Sequence, residues 1–185
     1  MRLRISISML LCLICVVTAT AVLATQILYS SPQQMGQQSQ TVVRGKVSSV
    51  ESYWNDTHTK IFTRTRISVD ETYKGAEQAA IDIIQLGGVV DGVRVTVHGA
   101  LQWHVGEEVL LFAERYDAAH YRVSGFSQGK FHVERDPDTG VAYVTAPALD
   151  DVDLVGAAGA QGIQRPTKSE RVTLETFVDQ ALGRR

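Results

Sequence analysis

From Thr41 onward the chain alternates apolar and polar residues with a period of two, in several stretches separated by glycines. Val43, Gly45 and Val47 alternate with Arg44, Lys46 and Ser48, and Thr65, Ile67 and Val69 alternate with Arg64, Arg66 and Ser68. Successive strand side chains point to opposite faces, so this period requires strands with one face on a core and one in water. Val93, Val95 and Val97 repeat the pattern against Arg94 and Thr96. Val109 to Ala113 is instead apolar at every position, as in a strand covered on both sides. Further strands are expected at Ile81 to Leu86, Tyr121 to Ser124, Lys130 to Glu134 and Val141 to Thr145. The last two should form a hairpin, because Asp136-Pro137-Asp138-Thr139-Gly140 offers a preset φ, a turn-tolerant acid and a glycine for the left-handed position. Lys74-Gly75 ends the second strand, with Gly75 at positive φ.

The two ends of the chain read differently. Arg2 and Arg4 precede an apolar run from Ile5 to Leu23 that closes on small residues around Ala21 and Ala24. That order is a secretory signal over residues 1–24, and the alternative is an uncut anchor, since apolar character persists to Leu28. An extracytoplasmic protein, periplasmic or secreted, is expected, with membrane contact only through residues 5–28 if the segment stays. Cys12 and Cys15 both lie inside the run, so a processed chain would have no cysteine and neither disulfides nor thiolate chemistry. Its formal charge would move from −2 to −4 with the loss of two arginines, which gives no general pull toward nucleic acid. Residues 25–40, rich in glutamine around Pro32 and Gly36, read as a flexible tether. Residues 147–168 read as an irregular connector because Gly156, Gly159 and Gly162 have little to bury. Within 169–183, Thr173 can cap a helix whose Leu174, Phe177, Val178, Ala181 and Leu182 share one stripe, stopped by Gly183. That stripe is expected to pack on its own domain, with a partner-binding tail as the other reading.

Val43, Gly45 and Val47, then Val69, Tyr73, Lys74 and Gly75, then Gly106, Glu107, Val109, Leu111 and Phe112 together resemble the netrin-like modules and tissue inhibitors of metalloproteinases. The chain also looks like uncharacterised exported bacterial proteins with a G-x-x-Q-G-K-F continuation, here Gly125 to Phe131. The resemblance implies an OB-like β-barrel over residues 41–146 followed by the short C-terminal helix. The metalloproteinase inhibitors act through an N-terminal cysteine on zinc, held by a disulfide. This chain has neither group there, so a role as a protease-associated inhibitor or accessory protein would need another edge.

No catalytic residue, metal or cofactor is expected. Gly125-Phe126-Ser127-Gln128-Gly129 is formally G-x-S-x-G, but a nucleophile elbow needs a helix after the serine and an acid and histidine beyond it. A strand follows instead, and His132 is the sole downstream histidine. His98 and His104 flank a turn with Glu107 and Glu108 close by, but without a zinc-binding helix, and Asp150, Asp151 and Asp153 lack the spacing of a calcium loop. Trp103, just ahead of the most apolar strand, reads as a core plug or barrel lid.

The expected function is therefore a non-enzymatic binding module. Arg44, Lys46, Arg64 and Arg66 share the outward parity of the first two strands, with Tyr53 and Trp54 in the loop between them. Barrels of this kind bind polymers across such faces with cations and stacking aromatics, so an anionic glycan or a protein is the expected partner, and nucleic acid is not. The plainer alternative is that cross-strand neighbours neutralise these cations.

Overall fold

A computed structural model describes residues 25–145, 152–155 and 172–184. Residues 1–24, expected to be a signal or anchor, lie outside the described residues, as does most of 147–168. No helix among the described residues is long and apolar enough to cross a membrane.

The fold is mainly β and barrel-like, with a short C-terminal helix. The elements in chain order are β1 (Thr25–Leu28), α1 (Pro32–Gln38), β2 (Thr41–Trp54), β3 (Ile61–Lys74), β4 (Ala80–Leu86), β5 (Gly88–Val90) and β6 (Val93–Val95). They continue with β7 (Glu108–Arg115), β8 (Tyr121–Val123), β9 (Lys130–Arg135), β10 (Ala142–Thr145), β11 (Val152–Val155), β12 (Val172–Thr173) and α2 (Leu174–Leu182). The main sheet runs β12-β10-β9-β7-β2-β3-β4-β8, and β8 also pairs with β7, which closes β7, β2, β3, β4 and β8 into a ring. Beside the segment of β7 that holds β8, residues Val109 to Leu111 hold β9, which carries β10 and β12 outward.

The all-apolar strand is the hub of this arrangement. Val109 through Ala113 are each fully buried, because their alternating side chains enter two different cores. Val109, Leu111 and Ala113 point into the ring with Val43, Val47, Ile67, Ile81, Ile83, Tyr121 and Val123. Leu110 and Phe112 point the other way, against Val42, Phe131, Val133, Val144 and the helices. There Phe112, Phe131 and Phe177 form a cluster with ring centroids 4.7–6.3 Å apart. Within the β2–β3 ladder, Gly45 lies against the Ser68 carbonyl with no room for a side chain.

The expected hairpin, strand stop and C-terminal helix all form. Lys130–Arg135 pairs antiparallel with Ala142–Thr145, and Gly75 has φ 95°. The Thr173 hydroxyl caps α2 by accepting from the Thr176 N–H, and Gly183 stops it at φ 63°. The helix buries Leu174, Val178 and Ala181 against its own domain, so its stripe is core.

Three regions differ from expectation. The tether at 25–40 is structured: Thr25–Leu28 is a strand and Pro32–Gln38 is a helix. Ser31-Pro32-Gln33-Gln34 forms a capping box in which the Ser31 hydroxyl accepts from the Gln34 N–H at 3.2 Å and the Gln34 side chain accepts from the Ser31 N–H at 2.8 Å. Met35 is 2% exposed, and Gly36 lets α1 reach the Ala181 carbonyl of α2. Within the connector at 147–168, the V-D-L-V segment ahead of the glycines forms β11 and pairs in parallel with β1. Finally, the valine alternation at 93–97 yields β6, which among the described residues pairs only with β5 outside the ring, across an Asp91-Gly92 turn with φ of 51° and 78°.

Candidate functional site

The ring fixes which side of β3 meets solvent. Ile61, Thr63, Thr65 and Ile67 are buried, so Phe62, Arg64, Arg66 and Ser68 stand on the outer face. Arg44 and Lys46 share that face, but bulges after Arg44 and Val47 set Arg44 opposite Glu71, Lys46 opposite Ser68 and Arg66 opposite Ser49. The basic residues consequently form a row along the ladder, and each arginine has its own carboxylate. Arg44 lies 2.7 Å from Glu108 and 3.4 Å from both Asp70 and Glu71. Arg64 meets Glu51 at 2.7 Å, and Arg66 meets Asp82 at 3.1 Å. Lys46 is exposed and makes no ion pair among the described residues. With five carboxylates interleaved among four cations, the face carries no net positive field.

The charges are firmest where burial is greatest. Burial works to raise the Glu108 pKa, but hydrogen bonds from Arg135 and Arg44 hold it below its ordinary range. Burial works to lower Arg44, and its hydrogen bonds to Glu108 and Tyr73 more than offset that. Burial and the Glu71 carboxylate push the Tyr73 hydroxyl up to about 12.

Tyr53 and Trp54 belong to the end of β2 and not to the connecting loop, because the turn is confined to residues 55–60. Asn55 builds that turn by accepting from the Thr59 and Lys60 N–H groups, both at 2.8 Å. Trp54 stacks on His58 at 6.2 Å and faces away from the Tyr53 side. Tyr53 stands directly opposite Phe62, and Phe62 directly opposite Leu86. These three side chains make an apolar row across β2, β3 and β4 on the outer face. Tyr53 is 37% and Leu86 43% exposed, while the Phe62 ring stacks 6.2 Å from Tyr53. The Arg64 guanidinium sits 6.0 Å from the Tyr53 ring centroid. Burial raises the Tyr53 pKa and Arg64 opposes the rise.

A second cluster closes one end of the ring, and sequence reasoning missed its centre. Lys130 is opposite Leu111, an inward position, and its side chain is only 5% exposed. Its ammonium donates to Glu107 at 2.6 Å and to the Gln102 carbonyl at 2.5 Å, and lies 4.4 Å from the Trp103 ring centroid. Burial lowers its pKa, with Glu107 opposing. Trp103 acts as the expected lid, packing on the ring core and donating its indole N–H to Gln85 at 3.0 Å. The signal for Lys130 was strand parity: counting by twos through β9 puts it on the ring side.

The formal G-x-S-x-G has no elbow geometry. Ser127 is 2% exposed, its hydroxyl has no hydrogen-bond partner among the described residues, and β9 follows where a helix would be needed. His132 faces Glu107 at 3.6 Å instead of the serine. His104 also approaches Glu107, at 3.9 Å, whereas no three His, Cys, Asp or Glu side chains among the described residues gather to hold a metal ion. Asp150 and Asp151 lie outside the described residues. In comparison with known proteins, no family model and no curated protein matches the chain.

Proposed function

We propose that this protein is an exported, non-enzymatic binding module of OB-like, netrin-like type that docks a protein partner on the outer face of β2, β3 and β4. The row of Tyr53, Phe62 and Leu86 supports this reading most directly, because exposed aromatic and aliphatic groups on a rigid sheet, ringed by charge, are what protein hot spots are made of. The ion pairing of Arg44, Arg64 and Arg66 favours a protein over an anionic glycan, since a polyanion would have to displace resident carboxylates. The signal-like order of residues 1–24 supports export.

A photo-crosslinking residue placed at Leu86 in the envelope or secreted fraction should give a discrete adduct with another polypeptide, and the same residue at Asp138 should not. Leu86→Asp combined with Tyr53→Ala should abolish retention of that polypeptide. If no adduct forms and the purified protein instead binds dextran sulfate in a salt-sensitive way that Arg64→Gln/Arg66→Gln removes, the partner is a polyanion and the protein reading is wrong.

A further inference from the structure

The β2–β3 hairpin is longer than the ring that holds it. On the side away from β3, β2 pairs with β7 only through Thr41–Lys46, and the last bonds join Val47 to Gly106 and Glu107. Beyond the bulge after Val47, residues Ser49 to Trp54 pair with β3 alone. The Asn55 N–H donates to the Lys60 carbonyl, so the pair at 55 and 60 bonds toward β3, and bonding alternates from there. Val50, Ser52 and Trp54 therefore turn their N–H and carbonyl groups away from β3, and among the described residues nothing receives them. Gly88 lies on the Ser52 and Thr63 hydroxyls, over the inner face of the hairpin, and among the described residues it makes no backbone hydrogen bond to the edge. This edge has no lysine or proline, the usual guards against strand addition.

We propose that the edge Ser49 to Trp54 pairs antiparallel with the same edge of a second copy of this chain, about a two-fold axis through Ser52. Face, hydrogen-bond phase and charge are all satisfied in that register. Inner faces must continue into inner faces, which requires paired residues of equal parity, and pairing Ser52 with the partner's Ser52 satisfies it. The outward-bonding residues Val50, Ser52 and Trp54 then meet the partner's Trp54, Ser52 and Val50, giving about six backbone hydrogen bonds. The single charge of the edge, Glu51, falls opposite the partner's Tyr53 and not opposite its own copy, so no like charges are directly paired. Val50 opposite the partner's Trp54 is a β-branched and aromatic pair, one of the favourable cross-strand combinations. The dimer would join two outer faces into one continuous sheet, with a Tyr53-Phe62-Leu86 row on each side of the axis. It does not depend on what those rows bind.

Sedimentation of the full chain, with Cys12→Ser and Cys15→Ser, tests the pairing. The expected result is a reversible, concentration-dependent dimer whose midpoint moves by more than about tenfold in Ser52→Pro, which removes one edge N–H where an edge strand tolerates proline. In the same background, Glu51→Cys/Tyr53→Cys should oxidise to a covalent dimer, because non-hydrogen-bonded antiparallel partners have Cα atoms about 4.5 Å apart, within disulfide range. This second variant keeps the test open should Ser52→Pro fail to fold. A chain that remains monomeric at about 1 mM overturns the proposal, and so does a dimer that resists Ser52→Pro and gives no disulfide in this register. The latter result would assign association to residues 5–28.

Discussion

Two ion pairs of nearly equal length sit in opposite surroundings. Arg64 and Glu51 lie 2.7 Å apart on the outer face, with side chains 45% and 59% exposed, while Lys130 and Glu107 lie 2.6 Å apart at the ring end, 5% and 9% exposed. Distance alone would rank them together. Water separates them: the exposed pair keeps most of its hydration and gains little, whereas the buried pair has lost hydration on both partners and depends on each other, the Gln102 carbonyl and the Trp103 ring. The outer face can therefore exchange its pairs for a partner's groups, and the ring end cannot.

The largest difference should appear on breaking the buried pair. Lys130→Met leaves Glu107 without its ammonium partner, with only the His104 N–H donating to it among the described residues, and is expected to cost about 3–5 kcal/mol in denaturant unfolding, while Lys130→Met/Glu107→Leu should return to within about 1 kcal/mol of the parent or exceed it. Equal losses in the single and double variants would mean that Lys130 matters through its packing and not through its charge. Trp103→Phe is the next step down. It keeps a ring above the ammonium but leaves the Gln85 side-chain Oε1 without the indole N–H, for a loss of about 1–2 kcal/mol.

The same contrast explains what could be read ahead of the structure. Period two located the ring strands, and the unbroken apolar run at Val109 to Ala113 identified the hub, because a strand between two cores has no polar position to spare. The turn at 136–140 and the caps of α2 were legible because each rests on local backbone chemistry. Ring closure by β8, the bulges that set Arg44 opposite Glu71, and the pairing of Lys130 with Glu107 depend on register between distant segments, which no local pattern carries; parity within β9 gives only the side on which Lys130 lies. Residues 32–38 were obscured by their glutamines, although S-P-Q-Q holds a capping box. The Asp91-Gly92 turn was also there to be read. The basic row was correctly placed on one face, and what it lacked was its acids, four of which come from β4, β7 and the far end of β3.

Glu108 lies between the extremes, 12% exposed and shared by Arg44 and Arg135. Its folded pKa is below the ordinary 4.5, so the stability it contributes is complete above that value and is lost as pH falls through the folded pKa. Glu108→Gln should therefore cost about 1 kcal/mol at neutral pH and flatten the fall in stability below pH 4.5. An unchanged acid limb would show that the two arginines do not hold this carboxylate in solution.

The smallest effect is expected at the exposed pair, and its smallness carries meaning. Arg64→Gln removes the contact with Glu51 and the cation beside Tyr53, yet at this exposure it should change stability by less than about 0.5 kcal/mol, with little further response to about 0.5 M salt. A loss above about 1 kcal/mol would mean that Arg64 braces the projecting end of β2 and β3, where Glu51 and Ile84 flank it in register and the Tyr53 ring lies beside it. In that case the outer face would share the rigidity of the ring end, and its charges would be structural groups instead of ones free to meet a partner.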